Sequence, residues 1–239
     1  MIDEFWAGGP RFYKNSDAFP IGTDAVLLSH FASLNGAKRV CDIGCGSGVI
    51  GILMALLKKD ICVDGIEISK PAALAAENNV HLNGLDDRVN IICADINDYR
   101  GSDVAGVYDL VVSNPPYYAQ NAGSEAFGSA ANMRGEITMT MENVVSAASY
   151  LVRYGGKFAI VHKPERMCEL MCRMSRFGLE PKRLRMVQNT PESAPSLVLI
   201  EGRRGGKPGI TIDAPLYMTA PDGGESMEVQ EIYHRRQEK

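Results

Sequence analysis

The hydrophobic and polar positions along the chain predict strands that alternate with helices. From Arg39 onward, short apolar runs rich in β-branched residues alternate with helical stretches, which is typical of a parallel sheet covered by helices on both faces. Two later runs, Glu180–Gln188 and Ser196–Glu201, are expected to pair as an antiparallel edge. The sequence therefore predicts an α/β fold with a mostly parallel, seven-stranded sheet. Its other five strands have the almost continuous apolar character of fully buried strands: Arg39–Ile43, Ile61–Glu67, Val89–Ala94, Tyr108–Ser113 and Lys157–Val161.

The chain divides into three parts. We expect an N-terminal extension over 1–38 that packs on a main domain over 39–204, followed by a C-terminal tail over 205–239. Within the main domain, Tyr118–Gly135 is an eighteen-residue stretch rich in Ala, Gly, Ser and Asn, directly after a strand. Because this stretch is longer than most structural connections, we expect a mobile active-site loop.

Composition narrows the class of protein. The chain has 239 residues, of which 45% are hydrophobic and 23% charged, and this excludes disordered, collagen-like and coiled-coil proteins. The longest apolar run, Val49–Leu57, has nine residues, about half of the ~20 that span a bilayer. The N-terminus lacks the basic and apolar segments of a secretion signal. We therefore expect a cytoplasmic protein.

The six cysteines are expected to be free thiols. A chain of this length needs no disulfide framework. Cys41 and Cys45, like Cys168 and Cys172, are separated by three residues rather than by the two that are typical of zinc sites. We therefore expect no metal.

Charge is unevenly distributed along the chain. The net charge is −4, yet between Arg153 and Lys207 there are 12 basic and 5 acidic side chains. Such a concentration creates a local field that attracts phosphate groups, as in nucleic-acid binding. An ordinary solvated face explains it equally well.

A glycine-rich loop follows the first strand of the main domain. Asp42 is followed by Gly44, Gly46 and Gly48, and the apolar helix begins near Val49. Such a loop lets the backbone pass close to a ligand. The spacing differs from the G-x-G-x-x-G of dinucleotide sites, and the Asp42 carboxylate would repel a phosphate but attract an ammonium group. The pattern thus favours S-adenosylmethionine, which carries an amino-acid group.

Two further acids follow the next two strands. Glu67 is placed to accept hydrogen bonds from both hydroxyls of a ribose, and Asp95 to accept one from an adenine amino group, with Ile96 packing on the ring. Each acid alone is more often a surface charge. Together with Asp42 they lie where open α/β sheets bind ligands.

The most informative motif is Asn114-Pro115-Pro116-Tyr117, directly after the fourth strand. Two prolines end the strand and fix a rigid turn. This turn presents the Asn114 side-chain oxygen and the Pro115 carbonyl as two acceptors for one amino group, and the Tyr117 ring as a stacking surface. The motif is therefore typical of a site that methylates a planar amine.

These motifs resemble the class I S-adenosylmethionine-dependent methyltransferases with an NPPY motif, whose fold is Rossmann-like. Further stretches resemble the bacterial tRNA-Val (adenine-37-N6)-methyltransferases. They are FPIGTDAVLL (19–28), RGEITM (134–139), HKPER (162–166), APSLVL (194–199) and GGKPG (205–209).

The resemblance implies roles for single residues. It implies a catalytic turn of Asn114, Pro115, Pro116 and Tyr117, and substrate contacts from Tyr117, Phe19, Arg134 and Lys163. It implies that the cofactor is held by Asp42, Gly44, Gly46, Gly48, Glu67, Ile68, Asp95, Ile96 and Asn114.

The function expected from the resemblance is methyl transfer to N6 of an adenine in RNA, with adenine 37 of a tRNA anticodon loop as the preferred substrate. Methylation of ribosomal RNA and N5-methylation of a protein glutamine remain alternatives within enzymes that share the motif. A nicotinamide-dependent oxidoreductase and a non-catalytic RNA-binding module are alternatives from other classes.

Overall fold

A computed structural model of the chain describes residues 2–13, 22–99, 103–117 and 139–234. Its helices are α1 (Thr23–Phe31), α2 (Val49–Leu57), α3 (Lys70–Leu82), α4 (Met141–Leu151), α5 (Met167–Arg176) and α6 (Met227–Ile232). Its strands are β1 (Ile2–Glu4), β2 (Arg11–Tyr13), β3 (Arg39–Ile43), β4 (Cys62–Glu67), β5 (Val89–Cys93), β6 (Tyr108–Ser113), β7 (Val152–His162), β8 (Leu179–Gln188), β9 (Pro195–Arg204), β10 (Thr211–Ile212) and β11 (Leu216–Tyr217).

The central sheet is mostly parallel, as the sequence predicts. Its order is β10-β8-β9-β7-β6-β3-β4-β5, and β11 also pairs with β8. Strand β9 is antiparallel to both β7 and β8, which confirms the predicted antiparallel edge. The seven predicted strands are β3 to β9. Strands β10 and β11 are two-residue additions that the tail contributes beside β8.

Alternate residues of the strands enter two separate cores, one on each face of the sheet. In β3, Val40 belongs to one core and Cys41 to the other. In β6, Leu110 and Val111 divide in the same way. Since successive side chains of a strand point to opposite faces, both faces of the sheet must be covered. Helices α1, α2 and α6 contribute to the first core and α4 and α5 to the second.

The first core includes residues from both ends of the chain. Phe12 of β2, Leu27 of α1 and Val229 of α6 are all buried in it. Strands β1 and β2 form a separate antiparallel hairpin. The domain boundaries at residues 38 and 204 stay a prediction.

One strand of the sheet begins well before the position that the sequence predicts. Strand β7 begins at Val152, five residues before the predicted start at Lys157, because Val152 pairs with Tyr108 of β6. The strand passes through an irregularity at Gly155, whose φ is +76°. The segment from Pro164 begins as a 3₁₀ turn before α5.

All six cysteines lie within the described ranges and are free thiols. No helix of the described ranges is long and apolar enough to cross a membrane.

Candidate active site

Strand register brings the predicted motifs together at the edge of the sheet where the parallel strands end. Ile43 of β3 is paired with Ser113 of β6 on one side and with Ile66 of β4 on the other. The glycine loop that follows Ile43 therefore lies between Asn114, which follows Ser113, and Glu67. Glu67 is in turn paired with Cys93 of β5, two residues before Asp95. Four sequence motifs thus share one edge, which is where open α/β sheets bind ligands.

The Glu67 carboxylate holds the glycine loop in place. Its Oε2 accepts a hydrogen bond of 2.9 Å from the backbone N–H of Gly46, and its Oε1 accepts one of 2.8 Å from the N–H of Ser69. The N–H groups of Gly44 and Cys45 donate to the Ile66 carbonyl. Because a carboxylate has about four lone-pair positions, Glu67 keeps acceptor capacity for ribose hydroxyls.

Gly46 is the glycine of the loop with the most open surroundings. Its φ is +55°, and a Cβ atom added there would meet no described heavy atom within 4 Å. By contrast, an added Cβ at Gly44 would approach Met139 and one at Gly48 would approach Ala76. A side chain at position 46 would therefore project into the space beside the loop, where we expect the cofactor.

We expect Gly46→Ala to weaken S-adenosylmethionine binding about tenfold or more and to cost about 1 kcal/mol of stability, because alanine is strained at positive φ. Gly84→Ala is the matched control, since Gly84 has φ +62° and an equally open Cβ position at the end of α3. Calorimetric titration and thermal unfolding measure both effects. Equal cofactor affinities in the two variants would contradict the assignment of Gly46.

Asp42 is buried and unsatisfied. It is 0% exposed, and within the part of the chain that the structure describes neither carboxylate oxygen completes a hydrogen bond. Burial, together with the negative charge of Glu67, raises the pKa of Asp42 to about 7, while the nearby backbone N–H of Gly51 lowers it only in part. A buried carboxylate without a partner costs free energy. A cationic group of a ligand would compensate this buried negative charge.

The residues expected to enclose the adenine of the cofactor lie beyond β4 and β5. Asp95 accepts hydrogen bonds on Oδ1 from the backbone N–H and the side-chain amide of Asn97, and Asn97 is held by Asn143 of α4. Ile96 is buried, whereas Ile68 is 43% exposed beside Glu67. An exposed isoleucine at a strand end offers an apolar surface for a planar ring.

The Asn114–Tyr117 turn is anchored to α1. The Tyr117 hydroxyl lies 2.5 Å from Oδ2 of Asp24 and 3.1 Å from Oδ1 of Asn114. Burial and the bond to Asp24 raise the pKa of Tyr117 well above its usual value. Ser113, directly before the turn, donates to the Ile43 carbonyl. The turn is thus fixed on one side to β3 and on the other to α1.

His162 and Lys163, at the end of β7, lie beside the Tyr117 ring. The rings of His162 and Tyr117 are 5.3 Å apart in an edge-on arrangement, and Nζ of Lys163 lies over the Tyr117 ring at 5.2 Å from its centre. The backbone N–H of Lys163 donates to Nδ1 of His162. Burial and the charge of Arg166 lower the pKa of His162, so this imidazole is neutral at pH 7.

Not every predicted feature can be located. Phe19, Arg134 and the predicted active-site loop Tyr118–Gly135 lie outside the described residues. In the basic segment, five arginines form ion pairs that compensate part of the charge: Arg153, Arg166, Arg173, Arg183 and Arg185. Among the residues that the structure does describe, no group of three or more His, Cys, Asp or Glu side chains could hold a metal ion.

Sequence reasoning missed two residues of this site. Asp24 lies in the first turn of α1, where an acidic residue is ordinary because it complements the helix dipole. His162 is an isolated histidine after an apolar strand. Both lie in stretches that carry the resemblance, 19–28 and 162–166, but neither is assigned a role from the sequence, since each reaches Tyr117 only through the tertiary structure.

Comparisons with known proteins show the family to which the chain belongs. The profile of the family described as Methyltransferase small domain matches residues 16–177. The tRNA1(Val) (adenine(37)-N6)-methyltransferase of Tolumonas auensis is 30% identical over 222 residues, which cover 91% of this chain and 90% of that protein. The enzyme of the same name from Escherichia fergusonii is 33% identical over 60% of this chain and 58% of its own.

A solved structure shares the fold. The crystal structure of a predicted O-methyltransferase from Agrobacterium tumefaciens superposes with a TM-score of 0.72 at 18% identity, covering 89% of this chain and 96% of that one. The Rossmann-like methyltransferase fold expected from the sequence is thereby confirmed. From the profile match and the relative that spans nearly the whole chain, it follows that this protein belongs to the methyltransferase small domain family, together with the tRNA1(Val) (adenine(37)-N6)-methyltransferases.

Proposed function

We propose that this protein transfers a methyl group from S-adenosylmethionine to the exocyclic N6 amine of an adenine in RNA, with adenine 37 of a tRNA anticodon loop as its preferred substrate. The observation that carries the proposal is the register of β3 and β6, in which Ile43 is paired with Ser113. It sets the Asn114–Tyr117 turn directly beside the glycine loop, so an amine at one and a cofactor at the other are neighbours.

The residues present fit the cofactor. The carboxylate of Asp42, which has no hydrogen-bond partner among the described residues, suits the ammonium group of the methionine part of the cofactor. Glu67 suits the ribose hydroxyls, and Gly46 leaves open space beside the loop. When bound, S-adenosylmethionine supplies a methyl group on an electrophilic sulfonium centre.

The turn would orient the amine. The Asn114 side-chain oxygen and the Pro115 carbonyl would each accept one N–H of the amino group, which directs the nitrogen lone pair toward the methyl group. Two fixed acceptors withdraw the amine from conjugation with the ring, so no strong base is needed at this step. The lowered pKa of His162 and the raised pKa of Tyr117 agree with such a site, because both side chains stay neutral at pH 7.

RNA is the substrate class that the surroundings favour. The Tyr117 ring is half-buried and would stack on the base once the Lys163 ammonium group, which lies over it, turns to a neighbouring phosphate. A base in an anticodon loop is already single-stranded, which lowers the cost of extruding it. The names of the two relatives support tRNA and position 37. Phe19 and Arg134 stay predicted substrate contacts.

Mass spectrometry of nucleosides from unmodified tRNA tests the proposal. After incubation with the protein and S-adenosylmethionine, we expect N6-methyladenosine in the tRNA, located by nuclease mapping at position 37. A parallel incubation with S-adenosylhomocysteine in place of the donor controls for modification already present. A second incubation uses total lysate as the substrate and S-adenosylmethionine with a labelled methyl group. If the label entered only protein, or only ribosomal RNA, the proposal would be overturned in favour of glutamine or ribosomal RNA methylation.

A further inference from the structure

The Tyr117 hydroxyl faces two acceptors but has one proton. Oδ2 of Asp24 lies 2.5 Å from the hydroxyl oxygen and Oδ1 of Asn114 lies 3.1 Å from it. A phenol donates a single hydrogen bond. Asp24 and Asn114 therefore compete for it, and the outcome decides what Asn114 can offer to a substrate.

Asp24 is the stronger competitor. Hydrogen bonds from a hydroxyl to a carboxylate are shorter and about twice as strong as those to a neutral amide, and the shorter of the two distances is the one to Asp24. The second carboxylate oxygen, Oδ1, accepts from the backbone N–H of Ala25 at 3.0 Å. This bond holds the carboxylate at the first turn of α1, pointing one oxygen at Tyr117.

The consequence falls on the Asn114 amide. When the phenol donates its hydrogen bond to Asp24, the phenol oxygen presents only lone pairs to Asn114. An amide rotated by 180° exchanges its oxygen and nitrogen without changing its shape. In the rotated orientation the NH₂ group, in place of Oδ1, would face the Tyr117 oxygen and donate to it. The amide carbonyl is then released from Tyr117 and stays free to accept a bond from a substrate.

We propose that Asp24 is a positioning residue, which accepts the hydrogen bond of the Tyr117 hydroxyl and thereby keeps the Asn114 carbonyl oxygen available for the substrate amine. The proposal rests on the proposed function, since it gives Asp24 a role in the same amine site. It also gives a reason for the glycine two residues before Asp24. A Cβ atom at Gly22 would lie 2.1 Å from Oδ1 of Asp24, so any side chain there would displace the carboxylate.

The test compares Asp24→Ala in two backgrounds, with tyrosine and with phenylalanine at position 117. In the tyrosine background the released hydroxyl donates to Asn114 instead, and we expect kcat on tRNA to fall about 10- to 100-fold while the Kd for S-adenosylmethionine stays within about twofold. In the Tyr117→Phe background there is no hydroxyl to compete, so adding Asp24→Ala is expected to change kcat by less than about twofold.

Asp24→Asn is the conservative variant. It keeps the shape of the side chain and one acceptor oxygen, so we expect its kcat to lie between those of the original protein and Asp24→Ala. Thermal unfolding of each variant reports whether α1 still folds.

The outcomes separate this proposal from the function on which it rests. An equal loss of kcat in both backgrounds would mean that Asp24 acts through the fold and not through the Tyr117 hydroxyl, and it would overturn the proposal. An effect confined to KM would mean that Asp24 contributes only to substrate binding, and it would overturn the proposal too. Wild-type kcat in Asp24→Ala would also overturn it. If the unaltered protein forms no N6-methyladenosine, the proposed function itself fails.

Discussion

Asn114→Ala is expected to lower kcat for RNA methylation by about 10²–10³-fold, while the Kd for S-adenosylmethionine changes by no more than about threefold. The variant removes one of the two acceptors that would hold the substrate amine, and the backbone carbonyl of Pro115 alone cannot fix both N–H groups. The residues that we expect to hold the ammonium and the ribose of the cofactor, Asp42 and Glu67, are unaffected. Single-turnover kinetics with saturating cofactor measure the chemical step, and calorimetry measures the affinity.

Asn90→Ala is a matched control for this variant. Asn90 is an exposed asparagine near the start of β5, and it donates a hydrogen bond to Asp64. Its replacement by alanine removes the same side-chain atoms as Asn114→Ala, but at the end of the strand away from the candidate site. We expect its kcat to stay within about twofold of the original value. Full turnover by Asn114→Ala would contradict the role assigned to the turn. An equal loss of kcat in both variants would indicate general damage to the fold.

The sequence predicts the centre of the sheet best. Strands β3 and β6 have the bounds that their apolar runs predict, Arg39–Ile43 and Tyr108–Ser113. Both strands have neighbours on either side and helices on both faces, so nearly every position must be apolar and the run ends where burial ends. The motifs directly after these strands are therefore placed correctly once the strands are.

Long-range contacts are what the sequence does not reveal. Asp24 and Tyr117 are 93 positions apart, and no periodicity or spacing connects them. The early start of β7 has the same origin. The apolar run predicts a strand only from Lys157, whereas the pairing of Val152 with Tyr108 begins the strand five residues earlier. In each case a tertiary contact outweighs the local preference of the residues.

Asp42→Asn is expected to have two opposite effects: a loss of cofactor affinity and a gain in stability. The amide keeps the shape of the carboxylate but has no charge to offer to an ammonium group, so the Kd for S-adenosylmethionine is expected to rise at least about tenfold at pH 8. In the protein without cofactor, the variant buries a neutral amide in place of a charged carboxylate. The free energy of unfolding at pH 8 is therefore expected to rise, by on the order of a few kcal/mol.

The pH dependence follows from the direction of the pKa shift. The pKa of Asp42 is raised from 3.8 to about 7 in the folded protein, so between these values the native state binds a proton that the unfolded state has lost. Stability from this group is complete below about pH 4 and is lost as the pH rises toward 7. Cofactor affinity changes in the opposite direction, since only the ionised carboxylate attracts the ammonium group. Below pH 7 it is expected to fall about tenfold per unit, and in Asp42→Asn this dependence disappears.

Asp109→Asn is the control, because the pKa of Asp109 is shifted in the opposite direction to that of Asp42. Burial alone raises the pKa of Asp109, but hydrogen bonds from the backbone N–H of Arg39, from the Arg153 side chain and from the N–H of Lys38 outweigh burial and lower it. Removing that charge should reduce stability at neutral pH and leave cofactor affinity unchanged, because Asp109 lies at the opposite edge of the sheet, at the start of β6. Chemical denaturation and calorimetry at pH 6, 7 and 8 on both variants measure these effects. If Asp42→Asn lost stability as Asp109→Asn does, the buried carboxylate would be a structural group with a partner of its own, and its assignment to the cofactor ammonium would have to be abandoned.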